Sequence, residues 1–420
     1  MASTNLSARA NILSESLSYL MPYFIRLKSN HYDERTNPEG ILNFGVAENM
    51  LCEMELVEKL NAVQKWTAPM NYYGHPAGEV EFREELCCFF QEHFRLDTPK
   101  LIPARMMITS GANAGFIVYS YLLTDPGDAI LIPAPYYPMI DQDVSVLTGN
   151  RIVRCPLLDQ ESGEFRLTVD IFKHGYEVAL ADGLRPRMII LVNPQNPLGD
   201  VYDELTIRSI LEFAAEKQLH VVIDEIYAFS LFVNEKPFES MLRYTSLPDP
   251  SRTHFLWSFS KDFTLSGAHV GVMYAGTSDL CAIATNLNFF MVPSRVVQQT
   301  LTSLVADREW IRAYIALNRS RLTEKYKYVK SELESMGIRV RNTQSGFFIW
   351  ADFRPFMKHI TFEEENRLFE LLFENGLFVS RGYNLGCSQP GWFRMVFSIK
   401  DSMITEGLKR IKATLSLFSN

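Results

Sequence analysis

Short apolar runs that end abruptly in clusters of polar residues constrain this chain more than any other feature. Ala129-Ile130-Leu131-Ile132-Pro133, Met188-Ile189-Ile190-Leu191-Val192 and His220-Val221-Val222-Ile223-Asp224 are three of them. His254-Phe255-Leu256-Trp257-Ser258 and Val270-Gly271-Val272-Met273-Tyr274 follow. A strand with one wet face alternates apolar and polar residues; these do not alternate, so both faces must be covered. Helical patterns separate them, clearest over 203–217, where Leu205, Ile207, Ile210, Leu211 and Ala214 recur. Covered strands alternating with amphipathic helices predict an α/β fold with a mostly parallel sheet. In such sheets ligands bind outside the carboxyl ends of the strands.

Beyond residue 305 the pattern changes. A helical stretch from Glu309 to about Met336 is unbroken by glycine or proline, and it can bridge to a smaller unit. Strand-like segments 346–350 and 392–398 then alternate with helices, an α+β arrangement. Leu13, Leu17, Leu20 and Met21 predict an amphipathic N-terminal helix ahead of Met21-Pro22, not a signal segment.

Of the 420 residues, 47% are hydrophobic and 21% charged, ordinary for a globular enzyme with a sizeable core. The net charge of −8 gives no footprint for nucleic acid or an anionic membrane. No apolar stretch is long enough for a membrane span, so a cytoplasmic protein is expected. Cys52, Cys87, Cys88, Cys155, Cys281 and Cys387 form no C-x-x-C pair and stand at no zinc-ligand spacing, so no metal site is expected. There is no P-loop and no G-x-G-x-x-G.

The strand ends carry the chemistry. Asn193 to Gly199 follows one run, Asp224-Glu225-Ile226-Tyr227 ends a second, and Ser258-Phe259-Ser260-Lys261-Asp262 ends a third. Thr109-Ser110-Gly111-Ala112-Asn113-Ala114 is a small-residue turn suited to opening a helix. Taken singly, each feature has an ordinary explanation: a helix cap, a surface lysine, a proline turn. Together they match the needs of pyridoxal 5′-phosphate (PLP). That cofactor requires a lysine for its imine and an acid beside the pyridinium nitrogen. It also requires donors to the ring oxygen and a helix N-terminus for its phosphate. Lys261, Asp224, Tyr227 with Asn196, and Gly111-Ala112-Asn113 supply one of each. Ser258 and Ser260 can add phosphate hydrogen bonds, and Tyr136 can stack on the ring.

The chain resembles fold-type I PLP enzymes, and among them 1-aminocyclopropane-1-carboxylate (ACC) synthases and ACC-synthase-like proteins. The resemblance covers nearly all of residues 20–415. It is carried by Tyr32-Asp33-Glu34, Asn37-Pro38-Glu39-Gly40, Gly45-Val46-Ala47-Glu48-Asn49 and Pro133 to Pro138, by the strand-end motifs above, and by Pro390-Gly391-Trp392-Phe393-Arg394. It implies a large PLP-binding domain over 61–305 with a mostly parallel seven-stranded sheet. A smaller α+β domain would be built from 1–60 and 306–420.

By the same resemblance Lys261 is the Schiff-base lysine and the base at the substrate Cα, and Asp224 pairs with the pyridinium. Arg394 holds the substrate carboxylate as a fork, Glu48 lies near the amino-acid part of the substrate, and Tyr72 reaches the partner subunit's site. A homodimer with shared active sites follows. The family's usual phosphate-binding arginine, eight residues after the lysine, is here His269, which has fewer donors and only partial charge. The expected activity is a lyase acting on a γ-activated amino acid, S-adenosylmethionine being the leading candidate, through cyclisation, γ-elimination or γ-substitution. The alternatives are an aminotransferase of an amino acid and a PLP-binding protein with weakened catalysis.

Overall fold

In the computed structural model the apolar runs become strands of one sheet. The structure describes residues 21–96, 101–233, 235–236 and 238–418, with residues 5, 7, 10, 11 and 13. The strands are β1 (Met106–Ser110), β2 (Ala129–Ala134), β3 (Arg151–Pro156), β4 (Pro186–Val192), β5 (His220–Asp224), β6 (Thr253–Ser258) and β7 (Val270–Tyr274). Their order across the sheet is β1-β7-β6-β5-β4-β2-β3. All neighbours are parallel except β7, which runs against both β1 and β6.

Apolar side chains cover both faces, as the lack of alternation required. Ile189, Leu191, Val221 and Ile223 join one buried cluster, and Met188, Ile190 and Val222 join another on the opposite side. Each such side chain contributes about 1.5–3 kcal/mol of hydrophobic stabilisation.

Helix α1 (Met21–Ser29) precedes the sheet in the chain. The helices on the sheet faces follow from local chemistry: α2 (Gly111–Leu123) follows β1 directly, and α3 (Met139–Ser145) follows β2. Helix α4 (Glu204–Glu216) starts at Asp203, whose carboxylate accepts from the Thr206 N–H. It buries Ile207, Ile210, Leu211 and Ala214. Leu205, counted with that stripe in the sequence, lies off it and is exposed.

A 28-residue helix, α5 (Arg308–Ser335), leads into a second layer. That layer holds α6 (Phe362–Glu374), α7 (Asp401–Phe418) and an antiparallel sheet of β8 (Arg339–Val340), β9 (Phe348–Asp352), β10 (Ser380–Arg381) and β11 (Trp392–Val396). Its strand order is β10-β11-β9-β8. Helix α1 packs onto α6, with Tyr23 edge-on to Phe369 and Phe373 and Arg26 paired with Glu374. Most of the expected helix ahead of Met21 lies outside the described residues. Met21-Pro22, expected to follow a helix, belongs to the described helix Met21–Ser29.

Two features bring the layers together at the strand ends. The chain after β5 crosses to residues 344–346, with Phe232 N–H bonded to the Gln344 carbonyl and Gly346 N–H to the Ser230 carbonyl. The Tyr136 N–H is bonded to the Leu385 carbonyl at 2.8 Å.

Candidate active site

At the carboxyl ends of β4, β5 and β6 a cavity of roughly 390 Å³ opens between the two layers. Its floor comes from the strand ends: Asn196 beyond β4, Asp224 and Tyr227 at and beyond β5, and Ser258, Ser260 and Lys261 at and beyond β6. The antiparallel β7 starts at this same edge, which brings His269 to the cavity, and α2 brings Gly111, Ala112 and Asn113. The second layer contributes Arg394 and Ser380, and the segment before it Gly45, Val46, Ala47 and Glu48. Phe24 of α1 and Phe378 close an apolar side.

Lys261 sits in a one-turn helix capped by Ser258, and its Nζ donates to the Ala47 carbonyl at 2.6 Å. Burial pushes the amine down to about 8; Arg394 adds to that, while Glu48 and Asp224 act in the opposite direction. Asp224 is 4% exposed. Its Oδ1 accepts from the Ile226 N–H at 3.1 Å, and among the described residues no cationic side chain forms an ion pair with it. Burial therefore lifts its carboxyl to about 7. This is a buried acid in want of a cation.

Arg394 comes from β11, opposite Trp350 of β9 and Ser380 of β10. Its guanidinium donates to Asn196 Oδ1 at 3.0 Å, to Ser380 Oγ at 3.2 Å and to the Gly45 carbonyl. The Asn196 amide in turn donates to the Tyr227 hydroxyl at 3.2 Å. One hydrogen-bonded chain thus runs from Arg394 to Tyr227. The Tyr227 ring is held edge-on by Phe347 and Phe348.

The α2 end is shaped by two glycines. Gly111 has φ +73°, and a Cβ on Gly271 would lie 2.4 Å from the Gly111 backbone, so β7 approaches this turn as closely as glycine allows. The His269 ring lies over Gly111, with Nδ1 3.3 Å from the Ser110 carbonyl. It is exposed and, at φ +53°, in the left-handed region, which histidine enters more readily than most residues.

One expected position differs. Tyr137, not Tyr136, lines the cavity. Tyr136 is 2% exposed; its hydroxyl donates to Asp141 and accepts from Arg154 at 3.3 Å. Adjacent residues leaving a strand point to opposite sides, so a Tyr-Tyr pair offers one ring to each. Tyr72, expected to serve the partner subunit's site, is not among the lining residues of this cavity and is 72% exposed.

Sequence reasoning also missed Asp143. Its carboxylate lines the cavity and accepts the Asn113 amide at 2.8 and 3.0 Å, and burial lifts it to about 6. Asp143 lies one helical turn beyond the Pro135 to Pro138 motif, and that proximity was its sole signal. Ser380 and the Ala47 carbonyl gave none, because they reach the site through strand register and loop path.

The group that these residues fit is PLP: a buried carboxylate with no ion-pair partner among the described residues, a lysine amine within the same cavity, and a glycine turn opening a helix. Comparison with known proteins agrees. The family model for class I and II aminotransferases matches residues 39–411. ACC synthase-like protein 1 of Bos taurus is 34% identical over 99% of this chain and 84% of its own length. ACC synthase 8 of Arabidopsis thaliana is 32% identical over 92% and 85%. A human relative described as a probable inactive ACC synthase-like protein 2 is 32% identical over 93% and 69%. Among solved structures, a Thermus thermophilus aspartate aminotransferase mutant superposes with a TM-score of 0.77 at 19% identity, over 97% of this chain and 99% of that one. The likeness to that structure is one of fold. With the match spanning most of its length, the chain belongs to the class I and II aminotransferase family, whose cofactor is PLP.

Proposed function

We propose that the chain is a PLP-dependent lyase of ACC-synthase type acting on an amino acid activated at its γ-carbon, with S-adenosylmethionine as substrate. The carrying observation is the charge inventory of the cavity. Arg394 is the fixed cation available for an α-carboxylate, and Lys261 and His269 are the other basic groups among its described lining residues. A substrate with a second carboxylate finds no further arginine or lysine there, whereas Glu48 favours a cationic side chain such as a sulfonium. The named ACC synthase relatives support the same reading.

Each residue has a task. The bound cofactor supplies an electron sink for charge released at the substrate α-carbon. Lys261, near 8, is partly neutral at pH 7–8, the form that can bond a carbonyl carbon or take a proton from Cα. With PLP bound, Asp224 would hold the ring nitrogen protonated, Tyr227 and Asn196 would donate to the ring oxygen, and Tyr137 would take the ring face. Gly111, Ala112, Asn113, Ser258, Ser260 and His269 would hold the phosphate. Arg394 grips the α-carboxylate bidentately, a task for which lysine is a poor substitute. The apolar wall of Phe24 and Phe378 excludes water beside the reacting carbon. Residues 61–305 and the pair 1–60 with 306–420 are read as the two domains that meet at this cavity, in a cytoplasmic homodimer.

The test is a spectrum. Purified protein with PLP should absorb near ~420 nm, and Lys261→Ala should abolish that band. S-adenosylmethionine should then shift it and release methylthioadenosine. The aminotransferase reading has the family description in its favour. It takes over if ordinary amino acids shift the band, keto acid accumulates and no methylthioadenosine forms. Absence of a band with PLP added would leave a protein of weakened or lost cofactor chemistry.

A further inference from the structure

Asp262 follows Lys261 in sequence but is not among the residues lining the cavity. It is 1% exposed. The Ser230 hydroxyl donates to one of its oxygens at 2.6 Å and the Trp257 indole N–H to the other at 2.9 Å. The backbone N–H groups of Phe229 and Ser230 bond it as well. Burial pushes this carboxyl up to about 7, and the four donors act in the opposite direction, towards the ionised form.

Ser230 belongs to the turn that presents Tyr227, and its N–H is bonded to the Tyr227 carbonyl at 3.0 Å. Trp257 belongs to β6. One carboxylate therefore ties the turn beyond β5 to the turn beyond β6, the two that carry Asp224, Tyr227 and Lys261.

We propose that Asp262 is a positioning residue that acts on Asp224: its buried carboxyl clamps the Lys261 turn to the Tyr227 turn, and its ionised form adds negative charge to the field at Asp224. This rests on the reading of Asp224 as the group facing the cofactor's ring nitrogen. A second buried anion makes that position more attractive to a proton or a pyridinium. The charged groups acting on Asp224 are Asp262, Asp143 of α3 and Lys261, with Glu225 adjacent in the chain. Burial is the largest influence on Asp224, and the Asp262 charge raises it in the same direction.

The test titrates Asp224 in the cofactor-free chain by carbon-13 NMR of labelled aspartate side chains, the Asp224 signal being identified by its loss in Asp224→Asn. Asp262→Asn keeps the shape and removes the charge; the Asp224 midpoint should fall by about one unit. Ser230→Ala loosens the clamp and keeps the carboxyl with its other donors, so it should lower stability while the Asp224 midpoint moves far less than in Asp262→Asn. If Asp262→Asn does not fold, Asp262→Ser removes the same charge with a smaller side chain. A charge-removing variant that leaves the midpoint unmoved overturns the proposal, and so does a Ser230→Ala shift of equal size. The outcome is independent of the cofactor reading, which fails on its own if the parent chain never forms a band sensitive to Lys261→Ala.

Discussion

At Asp224 the fold holds a carboxylate where water hardly reaches it and where, among the described residues, no side-chain cation is paired with it. Its pKa is raised from 3.8 to about 7 by burial. Between those values the unfolded chain has released its proton and the folded chain has not. Stability of the cofactor-free protein therefore falls as pH rises through that window, and the full cost is present by pH 8. Asp224→Asn removes the charge and keeps the shape. It should stabilise the cofactor-free chain by about 1–3 kcal/mol at pH 8 in urea unfolding, with the gain shrinking towards pH 4. The same variant should bind PLP more weakly, because the ring nitrogen loses its anion. A loss of stability at pH 8 would mean that the folded chain already pairs this carboxylate. The residue scale is also where the sequence was most informative. Lys261, Asp224, Tyr227 and Asn196 each terminate or follow a recognisable strand, and the ligand rule for parallel sheets brought them to one place. Tyr136 was misplaced by one position because a Tyr-Tyr pair carries no sign of which ring faces inward.

The elements were legible where a run is uniformly apolar, as in β4 and β5, or where a long pattern has no breaker, as in α5, expected over 309–336 and observed at Arg308–Ser335. They were not legible where two-residue pairings do the joining, as with Leu42–Asn43 against Leu377–Phe378, which depend on chain path over more than 300 residues. Helix α5 shows how a single cap sustains an element that reaches between the layers. Asp307 accepts from the Trp310 N–H at 3.1 Å, and its other carboxylate oxygen meets Lys59. Asp307→Ala should cost about 1–2 kcal/mol in urea unfolding, mostly from the lost cap. The half-exposed ion pair with Lys59 adds little. Because the cavity is lined by other elements, the absorption of bound cofactor should be unchanged. A spectral change without a stability change would assign Asp307 to the site instead.

Over the whole molecule, the aromatic surface around residues 66–73 and 289–290 is the part that one chain leaves unexplained. Trp66 is 67% exposed, Tyr72 72%, Tyr73 99%, Phe289 60% and Phe290 81%. The Arg295 guanidinium braces the 69–72 backbone from below, donating to the carbonyls of Pro69 and Tyr72. A monomer seldom leaves so many large rings in water, and a second copy of the chain is the occupant that a shared-site dimer requires. In the homodimer proposed above, Tyr72 would serve the cavity of the other subunit. The consequence is testable by mixing two disabled chains. Tyr72→Ala and Lys261→Ala should each be poorly active alone. Heterodimers formed from the two carry one site with both defects and one with neither, so an equimolar mixture should recover about a quarter of the parental activity. Recovery well above that, or none despite confirmed heterodimers, would assign Tyr72 to its own subunit's site or to the surface.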